Sequence, residues 1–112
     1  MKIAISAEDK NINSNVSDIF GRCPYFIIAE INDKKVEKTE VIKNESLNEA
    51  SGAGVLTARL MAEKNVQALI AKNIGPRALD VLKQFKIEIY FGQGIINEVI
   101  QKFIDEKLKK IN

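Results

Sequence analysis

The spacing of apolar residues along the chain changes period several times, and each change marks an element. Residues 2 to 6, KIAIS, alternate and are rich in β-branched side chains, which predicts a first strand. Beyond Pro24, Tyr25 to Ile31 is strand-like, Asn32-Asp33-Lys34-Lys35 has turn composition and Val36 to Ile42 alternates again, the signature of an antiparallel hairpin. Val66 to Ala71 and Ile87 to Phe91 are apolar runs of strand length. Three stretches carry helical spacing instead. The first runs from Val55, Leu56, Leu60 and Met61 to about Lys64. The second starts at Pro76 and would bury Ala78, Leu79, Leu82 and Phe85. The third holds Ile96, Val99, Ile100, Phe103 and Ile104. Polar loops fill 7 to 17 and 43 to 54.

Strand, helix, strand, helix from Val66 onward reads as a right-handed parallel crossover, whereas 25 to 42 is a hairpin, so the sheet must be mixed. The expected architecture is one α/β domain over residues 1–112: three layers, α/β/α, around a five-stranded mixed sheet. At 112 residues the chain has no room for a second core.

Composition narrows the chemistry. No apolar run approaches the roughly 20 residues of a membrane helix, and the N-terminus has no signal-peptide core, so a soluble cytoplasmic protein without membrane contacts is expected. The 17 Lys and Arg are scattered among 15 Asp and Glu, giving +2 and no electrostatic footprint for nucleic acid. The basic cluster KLKKIN at the C-terminus is expected to be a solvated helix end. Histidine is absent and Cys23 is the single cysteine, which excludes Cys-His and Ser-His-Asp catalysis, HExxH zinc hydrolysis and zinc fingers.

Parallel sheets bind ligands outside the carboxyl ends of their strands, where loops lead into helix N-termini. The distinctive residues of this chain fall there: Phe20, Gly21, Arg22 and Cys23 after the first loop, Gly52 and Gly54 at one helix entrance, Asn73, Gly75 and Pro76 at the next, and Gly92 and Gly94 at the last. Unpaired N–H groups and the helix dipole make such entrances suited to an anion, and glycine allows close approach. Neither GxxxxGK[ST] nor GxGxxG is complete, since Asn97 stands where the third glycine would be. Glu8, Asp9 and Asp18 share one loop region with no acidic partner on another strand, which argues against a two-metal centre. Cys23 beside Arg22 has two readings: a thiolate favoured by the guanidinium and able to bind a soft metal, or a small buried hydrophobe. Lys72 and Arg77 flank the NIGP turn and add positive charge to the same edge.

Taken together, MKIAISAED, VSDIFGRCPYFIIAEI, SGAG, NIGPRALDVLK and IYFGQG resemble the dinitrogenase iron-molybdenum cofactor biosynthesis domain family, of the small nitrogenase accessory factor type, from residue 1 to about 106. The resemblance implies a ribonuclease H-like motif without its catalytic carboxylates. It also implies a carrier or scaffold, not an enzyme, that binds an anionic metal-sulfur cluster, iron-molybdenum or other, and delivers it to a partner metalloprotein or cofactor-assembly protein. The positions matching the family are Phe20, Gly21, Arg22, Gly52, Gly54, Asn73, Gly75 and Pro76. Many relatives carry a histidine before the GAG segment, where this chain reads NESLNEASGAG, so Cys23 is left as the one strong soft metal ligand; Met61 is assigned to the core. A monomer or weak homo-oligomer is expected. Two further readings stand beside the carrier: a cluster-free interaction or regulatory module of the same fold, and an enzyme on a small anion, which would lack a histidine general base.

Overall fold

The computed structural model describes residues 1–46 and 52–111, so the middle of the predicted 43 to 54 loop lies outside the described residues. The strands are β1 (Lys2–Ala7), β2 (Tyr25–Asn32), β3 (Lys35–Lys43), β4 (Ala68–Ala71) and β5 (Glu88–Phe91), in the sheet order β3-β2-β1-β4-β5. β1 is antiparallel to β2 and parallel to β4, and β4 is parallel to β5. This is the expected mixed sheet, with β1 at its centre. The hairpin closes through Asp33 and Lys34, both at positive φ (51° and 63°), the two-residue geometry that matches strand twist.

Alternation divides the strand side chains between two cores. Ala4, Phe26, Ile28, Leu69 and Ile89 pack against α1 (Ala53–Glu63) and α2 (Pro76–Gln84) through Ala58, Met61, Ala78 and Leu82. Ile3, Ile5, Ile27, Ala29 and Ile70 pack against α3 (Ile96–Ile104) through Ile96, Val99 and Ile100. The three layers follow directly from period-2 strands whose faces are both apolar.

All three helices end in the same way. Asn65, Lys86 and Glu106 adopt φ near 60°, and the N–H groups of Val66, Ile87 and Lys107 reach back to the carbonyls of Met61, Leu82 and Lys102. These paired closures satisfy carbonyls that a helix terminus leaves open. They also explain two departures from expectation. Val66 is spent on ending α1, so β4 starts at Ala68, and Phe85, expected in the core, caps α2 half exposed (50%).

The C-terminal segment departs more. Residues 107–111 of KLKKIN are not a helix end: the Phe91 N–H donates to the Lys109 carbonyl (2.9 Å) and the Ile111 N–H to the Ile89 carbonyl (2.7 Å), so this segment lies antiparallel along β5 and covers that edge of the sheet. Unpaired strand N–H and C=O groups, not the lysines, decide where this segment goes. No helix among the described residues is long and apolar enough to cross a membrane.

Candidate functional site

Residues Phe20–Arg22 form a single 3-10 turn beyond the carboxyl end of β1. Ties to β4 hold it there. The Phe20 N–H donates to the Asn73 carbonyl (2.9 Å), the Asn73 side-chain amide returns a bond to the Asp18 carbonyl (2.9 Å), and Lys72 pairs with Asp18 at 3.1 Å. Phe20 itself is fully buried, edge-on to Phe26 with centroids 5.6 Å apart. Its burial fixes the turn so that Gly21 meets α1. A Cβ on Gly21 would lie 2.8 Å from both Cα and N of Gly54, and one on Gly54 would lie 3.1 Å from the Ala78 methyl. Glycine is required at Gly21, where backbone meets backbone, whereas a Cβ on Gly54 would only crowd the Ala78 methyl.

A buried asparagine clamps this contact. The Asn44 Nδ2 donates to the carbonyls of Cys23 (2.9 Å) and Gly21 (3.3 Å), and its Oδ1 lies 3.4 Å from the Thr57 hydroxyl on α1. Asn44 was not legible as a site residue: in the sequence it is one more polar residue of a polar loop. Its complete burial is what distinguishes it, since a buried amide persists only when its hydrogen bonds are made.

Between the turn, α1 and α2 lies a cleft of about 400 Å³ lined by Gly21, Arg22, Gly52, Gly54, Gly75 and Pro76, with Ile19, Ala53, Val55, Arg77 and Ala78. Six of the predicted site residues therefore meet there. The N-termini of α1 and α2 both open on it, and among the described residues neither has a side-chain cap. Gly52 adopts φ 75°, a conformation that favours glycine, whereas Gly75 (φ −65°) sits in ordinary extended geometry; a Cβ at either would meet nothing within 4 Å. Among the described residues that line it, the charged ones are Arg22 and Arg77. Such a surface attracts anions.

Five predicted residues are placed elsewhere. Phe20 is core and Asn73 is a tie between loops. Gly92 is a packing glycine, since a Cβ there would come within 2.5 Å of Ile70 and 2.9 Å of Val99. Gly94 accepts a bond from the Val16 N–H, and the entrance of α3 is covered by the first loop, where the Ser14 and Ile12 carbonyls accept from Ile96 and Asn97 (2.9 and 2.8 Å). The third helix start is thus satisfied by the protein itself, on the opposite face of the sheet.

Cys23 is the main correction. It is completely buried, its thiol donates to the Phe20 carbonyl (3.0 Å), and burial pushes its pKa from 9.0 up to about 12 although Ser6 and Asn44 pull the other way. The neighbouring Arg22 is exposed on the other side of the chain and takes no part in that shift. In this structure Cys23 is a small buried side chain that does not line the cleft, the surroundings expected of the buried-hydrophobe reading. Among the described residues no cluster of His, Cys, Asp or Glu could hold a metal ion.

Comparison with known proteins places this arrangement. The family model described as dinitrogenase iron-molybdenum cofactor matches residues 1–106. The chain belongs to the dinitrogenase iron-molybdenum cofactor family. It is 39% identical to the Methanocaldococcus jannaschii protein MJ0580 over 98% of this chain and 91% of that one. The crystal structure of PH0822 superposes with a TM-score of 0.85 at 34% identity, covering 98% of this chain and 94% of the other. The apo orange protein of Desulfovibrio gigas shares the fold, with a TM-score of 0.91 at 24% identity, over 98% and 92% of the two chains.

Two predictions follow from the packing of this family member. Gly21→Ala should lower stability by about 1–3 kcal/mol through overpacking against Gly54, whereas Gly75→Ala, unstrained and facing open space, should be neutral or up to about 1 kcal/mol stabilising; thermal unfolding measures both. Because the Cys23 pKa is raised in the folded state, the unfolded chain releases that proton first as pH rises. The thiol then costs no stability below about pH 9 and up to about 1.4 kcal/mol per pH unit between 9 and 12. Denaturant unfolding should show that additional alkaline loss in the wild type and not in Cys23→Ala.

Proposed function

We propose that this protein holds an anionic metal-sulfur cluster or cofactor precursor in the cleft between the Phe20–Arg22 turn and the entrances of α1 and α2, and passes it to a partner metalloprotein. The observation that carries this reading is the lining: among the described residues, two helix N-termini without a side-chain cap converge with Arg22 and Arg77. The cargo must bring its own ligands. With Cys23 buried and no metal-ligating cluster among the described residues, retention rests on charge and hydrogen bonding to sulfide or oxide atoms of the cargo.

Family membership supports the cargo class. Release is favoured by the same design, since no metal–protein bond has to break. Ile19, 51% exposed on the cleft rim, offers an apolar contact to a partner that docks over the site. A carrier needs such a face, whereas the small-anion enzyme would need a general base, and none stands among the described lining residues.

The test is anaerobic reconstitution with iron, molybdenum and sulfide, followed by desalting, metal analysis and a visible spectrum. Wild type should retain metal with ligand-to-metal absorption bands, and Cys23→Ala should retain it equally. Arg22→Ala and Arg77→Ala should each weaken retention about tenfold or more, the worth of a charge-assisted hydrogen bond. No retained metal in any mixture would favour the cluster-free interaction module, and loss in Cys23→Ala would overturn the site.

A further inference from the structure

The two edges of the sheet are treated differently. The β5 edge is covered by the C-terminal tail, whereas β3 forms the other edge and every residue from Lys35 to Val41 is exposed. Nine residues of ladder with exposed valines are a template for another strand unless something blunts it. Lysine on an edge usually serves that purpose by repulsion. Here the charges alternate in sign, as Lys35-Val36-Glu37-Lys38-Thr39-Glu40-Val41-Ile42-Lys43.

We infer that β3 pairs antiparallel with β3 of a second copy of this chain about a two-fold axis at Thr39, joining two sheets into one. In that register Lys38 of each copy lies opposite Glu40 of the other, which makes two opposite-charge pairs, and the two threonines face each other at the axis. The bulge completes the match. Within the hairpin Lys38 pairs with Glu30 and Val36 with Ile31, so Glu37 is the extra residue. With Glu37 passed over in the same way, Val36 comes opposite Val41 on the other face, twice, and these are the two valines left 43% exposed. Moving the axis by one residue, to Lys38 or to Glu40, sets two like charges directly opposite each other, so the charge pattern favours Thr39 over its neighbours, and a heterologous strand would need to reproduce the same reversed pattern.

Sedimentation equilibrium on the whole protein, from about 10 μM to 1 mM, tests this over the range of weak association. The mass should rise from 12.5 kDa toward twice that value. Lys38→Glu and Glu40→Lys are exposed substitutions that each set two like charges opposite one another, and each should weaken association at least tenfold with an unchanged circular dichroism spectrum. An equimolar mixture of the two variants should associate again, because their charges are complementary across the axis. A wild type that stays at 12.5 kDa throughout overturns the inference, as does association that both single variants retain.

Discussion

Gly21 resting on the backbone of Gly54 is the contact on which the candidate site depends. It brings the Phe20–Arg22 turn against the first residues of α1, and the next contact, Gly54 on Ala78, brings α2 in beside them. The first approach is closed to a residue with a Cβ, and the second leaves little room for one. The stabilisation comes from around the contact: Phe20 buried on one side, Asn44 bonding the carbonyls of Gly21 and Cys23 on the other, and the Asn73 and Lys72 ties to the end of β4. Two helix dipoles that would repel if left to themselves are held side by side with their positive ends toward one opening. A counter-charge in that opening relieves the repulsion, which is a physical reason for the cleft to take an anion.

The division of labour among the glycines follows from this geometry. Gly21, Gly54 and Gly92 are packing glycines, whereas Gly52 and Gly75 face open space at the helix entrances. In the sequence all of them look alike, and only the position of neighbouring backbone separates them. The same limit applied at Cys23 and Arg22. Their adjacency suggested shared electrostatics, yet burial of Phe20 and Cys23 turns the thiol inward and leaves the guanidinium exposed. Adjacent residues in a turn share a bond and not an environment.

The sheet, its mixed sense and the three layers were legible because they rest on periodicity, which survives without knowledge of contacts. Strands β1 and β5 and all three helices fall within two residues of their predicted starts. What was not legible depends on long-range hydrogen bonds: the tail laid along β5, the first loop covering the entrance of α3, and Asn44 buried inside a polar stretch. In each case an unsatisfied backbone group found a distant partner, and no local pattern announces that. Two of the glycine-rich entrances do meet in one cleft. The third is on the other face, since α3 crosses the sheet opposite α1 and α2.

In the proposed site, backbone N–H groups at two helix entrances, and not a thiolate, form the binding surface. Titration of the isotope-labelled protein with a soluble thiomolybdate anion, followed through its amide resonances, tests this. Saturable shifts are expected at Ala53, Gly54, Val55, Arg77 and Ala78, with Ile96 and Asn97 at the covered entrance of α3 unmoved. Shifts centred on Cys23 or on the start of α3, or no saturable shift at the α1 and α2 entrances, would contradict it.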